Sequence, residues 1–90
     1  MSILVTGAAG FIGSNDAKRM LDYGLSVVGV DSINDYYEVG LKRHRLMQLE
    51  RYPNFRFYQF DLADAPRVEQ LFSDNAFEIV IHLAAQAGVR

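Results

Sequence analysis

The stretch Ile3-Leu4-Val5-Thr6-Gly7-Ala8-Ala9-Gly10-Phe11-Ile12-Gly13-Ser14 constrains the fold of this chain more than any other. A short apolar run of strand character leads into three glycines spaced three apart, and a helix-like pattern follows. Gly7 suits the tight turn after the strand. Gly10 leaves no side chain between backbone and ligand, and Gly13 lets the helix pack close on the strand. The first N–H groups of such a helix, near Phe11 and Ile12, lack intrahelical partners and lie at the positive end of its dipole. That arrangement accepts a diphosphate. A glycine-rich turn can also exist without a ligand. Its position between a strand and a helix, at the start of a βαβ unit, favours the phosphate cradle.

The remaining chain repeats the strand-then-helix alternation. Phe11 to about Tyr23 reads as the first helix, ended by Gly24. Ser26 to Asp31 is a second apolar strand that ends in an acid. A polar loop over Ser32–Asp35 leads to a second helix, with capping-box-like spacing in Asp35-Tyr36-Tyr37-Glu38 and an end near Glu50 before Pro53. Phe55 to Phe60 is a third strand, and its Arg56, Tyr58 and Gln59 suit a position near a sheet edge. Asp64 can cap a third helix with Pro66 in its first turn and Val68, Leu71 and Phe72 as its buried stripe. Ile79 to Ala85 is a fourth strand, apolar enough to be covered on both faces. Right-handed crossovers make this an α/β fold, a Rossmann-type parallel sheet with helices on both faces and strand order 3-2-1-4.

Composition narrows the partners. Ninety residues, half of them hydrophobic, make one small globular domain. The net charge of -2 is spread, which argues against a nucleic-acid surface. There is no cysteine, and His44 and His82 have no ligand-like spacing, so disulfides are excluded and no metal site is expected. No apolar run has the length of a membrane span, and no signal-peptide pattern opens the chain, so a cytoplasmic location is expected.

Asp31 carries the next piece of chemistry. A carboxylate at the end of the second strand can accept hydrogen bonds from both adenosine ribose hydroxyls and would repel a 2′-phosphate. With no arginine immediately after it, NAD is expected over NADP. Asp61-Leu62 ends the third strand on the same sheet edge. Two readings stand side by side there: a turn aspartate, or an adenine contact in which Asp61 accepts from the exocyclic amine and Leu62 covers a ring face. Ala84-Ala85-Gln86-Ala87-Gly88 leaves the fourth strand at the crevice where chain direction switches. Small residues there suit either close packing or a backbone approaching the dinucleotide. His82 reads as a buried structural histidine. Tyr36 and Tyr37 read as cover for the second helix, and the Lys42–Arg45 cluster reads as a solvated helix face. No catalytic triad, paired catalytic carboxylates or nucleophilic cysteine can be proposed.

The segment Thr6–Ser14 resembles the cofactor fingerprint of the extended short-chain dehydrogenase/reductases, in their nucleotide-sugar epimerase and dehydratase branch. Asp31, Asp61-Leu62 and His82-Leu83-Ala84-Ala85 fall where that family has its ribose, adenine and strand-four motifs. Asn34-Asp35-Tyr36-Tyr37 and Ala84-Ala85-Gln86-Ala87-Gly88-Val89-Arg90 are similar to the UDP-glucuronate 4-epimerases in particular. The resemblance implies a cofactor site of Gly7, Gly10, Phe11, Ile12, Gly13, Asp31, Asp61, Leu62, Ala84 and Ala85. It also implies a sugar site bordered by Gln86 and Arg90. The reaction it implies is oxidation of C4 of a UDP-sugar, turnover of the keto sugar and return of the hydride to the other face. Dehydratase or reductase chemistry in the same family, and a non-catalytic module that senses dinucleotide redox state, are the alternatives.

Two departures from the family pattern accompany the resemblance. Its Tyr-x-x-x-Lys motif is absent, since Gly40 and Leu41 stand four places after Tyr36 and Tyr37. The expectation is that residues 1–90 are the NAD-binding front of a longer enzyme, not catalytic alone, with the sugar-binding domain beyond Arg90. The family also has a hydrophobic residue where Asp16 stands. Spacing puts Ile12, Asp16 and Met20 on one helix face, so a buried, costly carboxylate is expected there. Ending at Arg90 would leave strand four as an open apolar edge through which copies self-associate.

Overall fold

The computed structural model describes residues 2–33 and 39–83. Its elements are β1 (Ser2–Thr6), α1 (Phe11–Asp22), β2 (Ser26–Asp31), α2 (Val39–Leu49), β3 (Phe55–Gln59), α3 (Ala65–Asp74) and β4 (Ile79–His82). All pairings are parallel and the sheet order is β3-β2-β1-β4, as expected from the alternation. In register, Thr6 lies beside Val30 and His82, while Asp31 lies beside Gln59. The carboxyl ends of all four strands therefore share one edge.

The two-residue period of the strands sorts the core into two clusters. Ile3, Val5 and Val27 pack with Ala17, Leu21, Leu46 and Leu49 beneath α1 and α2. Leu4, Val28 and Val30 pack with Phe60 and Leu71 beneath α3. Because Val27, Gly29 and Asp31 alternate onto the same face, the Asp31 carboxylate emerges on the side of α1 and α2, beside the glycine turn.

Local chemistry sets the helix ends. Tyr23 closes α1, and Gly24 follows at φ 86°, with Gly24 N–H on Leu21 O and Leu25 N–H on Met20 O. Asp64 caps α3 by accepting from Arg67 N–H at 3.4 Å, with Pro66 in the first turn, as its sequence suggests.

The buried stripe of α1 is Gly13, Ser14, Ala17 and Leu21, so Ile12 is 61% exposed and Asp16 only half-buried beside the stripe. Small residues win that face because the helix lies almost on the backbone beneath it. Phe72 is exposed too, meeting Phe77 edge-to-face at 5.4 Å between centroids, while Leu71 and Val68 fill the α3 contact. β4 is not covered on both faces: Ile79 and Val80 are 43% and 49% exposed at the sheet edge, with no strand beyond it among the described residues. The segments 34–38 and 84–90 lie outside the described residues, so the second-helix start and the strand-four exit are not placed.

Candidate dinucleotide site

The glycine turn is built as its spacing implies. Gly7 has φ 72°, a conformation that a side chain disfavours. Its N–H and that of Ala8 donate to Val30 O at 2.8 and 3.2 Å, which ties the turn to β2. Gly10 N–H then donates to Gly7 O at 3.0 Å, and Ser14 N–H donates to Gly10 O as the helix begins. A Cβ on Gly13 would stand 2.2 Å from Gly7 O, whereas one on Gly10 would stand 3.3 Å from the same atom. Gly13 is thus the closest approach of the site, and it lies against the turn itself rather than the strand.

The start of α1 is left electrostatically open. Its N-cap, Gly10, contributes no side-chain hydrogen bond and no acid occupies the first turn. Among the described residues the N–H groups of Phe11, Ile12 and Gly13 have no partner. Partial positive charge and free donors coincide at one point on the carboxyl edge of the sheet.

Asp31 stands next to this turn and is 6% exposed. Its Oδ2 accepts from Ala9 N–H at 3.1 Å, and its Oδ1 accepts from Ile33 N–H at 2.9 Å. Lys42 Nζ donates to Oδ1 at 3.3 Å. The carboxylate therefore links the glycine turn, the loop after β2 and α2. Ile33 holds φ 55°, unusual for a β-branched residue, while its side chain is buried in the core. The Asp31 bond to its N–H and its core burial together offset that strain.

Sequence reasoning missed two residues, Lys42 and Arg45. They are not on a solvated face. One turn apart, they share the inward stripe of α2 with Leu46 and Leu49. Lys42 reaches Asp31, and Arg45 Nη1 donates to Ala9 O at 3.3 Å with its guanidinium 5.7 Å from the Phe11 ring centroid. The three-residue step from Lys42 to Arg45, in phase with Leu46 and Leu49, was the available signal.

Asp61 lies at the end of β3, exposed, with Oδ1 accepting from Ala63 N–H at 2.9 Å and its carbonyl accepting from Asp64 N–H. It forms a turn, as one of its two readings has it, and Leu62 packs on the α3-side core. His82 is exposed rather than buried, because β4 is an edge strand. Its Nδ1 meets Thr6 Oγ1 at 2.8 Å, and the same hydroxyl accepts from Leu83 N–H at 3.0 Å. This clasp joins the carboxyl ends of β1 and β4. Ala84, Ala85, Gln86 and Arg90 lie outside the described residues. Depressions of about 470 and 270 Å³ lie away from this site, one against Lys18, His44 and Tyr52, the other against Tyr58 and Leu71. Among the described residues no group of three potential ligands could hold a metal, and no helix is long and apolar enough to cross a membrane.

Comparisons with known proteins agree with this fold. The sequence profile described as GDP-mannose 4,6 dehydratase matches residues 4–90. The Protein CapI of Staphylococcus aureus is 50% identical over the whole chain, and the UDP-glucuronate 4-epimerase of Thermodesulfobacterium geofontis is 47% identical over 97% of it. The chain spans 27% of the length of each of these relatives. Among solved structures, the UDP-glucuronic acid 4-epimerase of Bacillus cereus, in complex with UDP-glucuronic acid and NAD, superposes with a TM-score of 0.84 at 38% identity. It covers all of this chain, which covers 28% of it.

Proposed function

We propose, since this chain belongs to the GDP-mannose 4,6 dehydratase family, that its 90 residues are the NAD-binding part of a nucleotide-sugar 4-epimerase. The observation that supports this best is the pairing of three N–H groups at the start of α1, unpartnered among the described residues, with the buried Asp31 carboxylate on the same sheet edge. The donors and the helix dipole suit a diphosphate, and the carboxylate suits a ribose diol. Gly7 and Gly13 hold the turn and helix at the approach this requires. The relatives named as UDP-glucuronate 4-epimerases support UDP-glucuronate as the sugar nucleotide of the whole protein.

In that protein the bound dinucleotide would supply a hydride acceptor at C4 of the sugar and return the hydride to the opposite face. The residues of this chain bind and orient. Phe11, Ile12 and Gly13 direct N–H groups at the diphosphate, and Asp31 fixes the adenosine ribose. Asp61 retains an Oδ2 with which to meet the adenine amine, beside Leu62. Ala84 and Ala85, outside the described residues, would by the family resemblance line the central dinucleotide, and Gln86 and Arg90 would border the sugar. The base is supplied by residues outside these ninety, and the cytoplasm is the compartment proposed. Calorimetric titration of NAD into this chain and into Asp31→Ala tests the reading. Heat and a thermal shift with the former, much reduced in the latter, are expected; neither signal with the unaltered chain overturns it.

A further inference from the structure

Lys42 occupies the one exchangeable place on the Asp31 carboxylate. A carboxylate offers about four lone-pair directions. Three are taken here, by Ala9 N–H, Ile33 N–H and Lys42 Nζ. A ribose diol needs two. The two backbone donors are fixed: Ala9 sits in a turn bonded to Val30 O through Gly7 and Ala8, and Ile33 is buried in the core. Lys42 is different, since its ammonium ends a flexible stem with a side chain 16% exposed, and its bond at 3.3 Å is the longest of the three. It can leave the carboxylate without disturbing the turn. Arg45, one helical turn on, holds α2 against Ala9 and Phe11, so a displaced Lys42 stays beside the ribose edge.

We infer that Lys42 is a specificity-determining residue for the adenosine 2′ position. It yields one Asp31 lone pair to the ribose hydroxyls and keeps a cation next to the 2′ substituent. This inference rests on the dinucleotide reading. The charge consequence departs from what Asp31 alone implies. An isolated carboxylate repels a 2′-phosphate, whereas a displaced Lys42 beside it offsets its charge and presents a mobile ammonium to the phosphate oxygens.

The test is titration of NAD and NADP into this chain, into Lys42→Met and into Lys42→Gln, with thermal melts to confirm folding of each. The unaltered chain is expected to bind NADP within about thirtyfold of NAD. Lys42→Met is expected to keep or tighten NAD binding and to weaken NADP about tenfold, the loss of one charge-assisted hydrogen bond. Lys42→Gln should fall in the same direction and stands in if the methionine variant does not fold. An NADP-to-NAD ratio that stays within about twofold in the folded variant overturns the inference, as does rejection of NADP beyond about thirtyfold by the unaltered chain. Absence of NAD binding to the unaltered chain overturns the dinucleotide reading itself, and this inference with it.

Discussion

Replacing Gly13 by alanine isolates the contact on which the turn depends. The added Cβ would stand 2.2 Å from Gly7 O and 2.9 Å from Gly7 C. Normal contact requires the helix or the turn to move by about 1 Å, since non-bonded heavy atoms settle near 3.5 Å. The turn resists this movement because Gly7 N–H is bonded to Val30 O at 2.8 Å and Gly7 O to Gly10 N–H at 3.0 Å. Overpacking costs about 1–3 kcal/mol, and a weakened hydrogen bond adds about 1. Alanine in place of a helical glycine returns about 1 kcal/mol of propensity. The net loss is about 2 kcal/mol, which lowers the melting temperature of a domain this size by roughly 8–16 °C. Circular dichroism melts read it directly. Gly10→Ala is the control: its Cβ would meet Gly7 O at 3.3 Å, so a loss below about 1 kcal/mol is expected. A Gly13→Ala melt within 2 °C of the unaltered chain would refute the reasoning, being smaller than about 0.5 kcal/mol. So would a larger loss at Gly10 than at Gly13.

Other expectations are narrower. Asp16→Leu should change stability by less than about 0.5 kcal/mol, because the carboxylate is half-buried beside the stripe; a gain above about 1 kcal/mol in a denaturant titration would show a buried site instead. Asp64→Ala should cost about 1 kcal/mol by removing the α3 cap, and an unchanged midpoint in urea would deny the cap its role. The hydrogen bond from Tyr52 to Asp22 holds the Asp22 carboxyl below its usual value and the Tyr52 phenol above its own. The Asp22 contribution should be present above the unfolded pKa of 3.8 and fade as pH falls through the lower folded value. The Tyr52 contribution should be present below 10.0 and fade as pH rises through the higher folded value. Tyr52→Phe should flatten the melting temperature at both extremes, and an unaltered pH profile would exclude the linkage. Sedimentation velocity over a concentration series should show self-association through the exposed Ile79 and Val80 edge, and a monomer at every concentration counts against it.

The order of elements was legible because strand and helix periods alternate cleanly and glycine or proline marks most of the breaks. The turn at Gly7 and the cap at Asp64 were legible because each sits at a strand end or helix start, where one residue type meets one backbone need. The inward face of α1 was not legible. Apolarity favours Ile12 and Met20, yet Gly13, Ser14 and Ala17 face inward because the helix lies so close to the turn that a methyl group at Gly13 would stand 2.2 Å from Gly7 O. The exposure of His82 was not legible for a related reason, since an apolar strand looks alike whether it is central or at an edge.

The sequence by itself determined the strand-turn-helix cradle, the acid that follows it and the parallel order 3-2-1-4. These depend on local periodicity and on conformations that neighbouring residues impose. Only the tertiary structure decided that α2 turns Lys42 and Arg45 toward the cradle, that Asp31 is shared among three donors, and that α1 presents its smallest residues inward. Those facts depend on how closely elements distant in sequence approach one another, and side-chain spacing along the chain does not encode that distance.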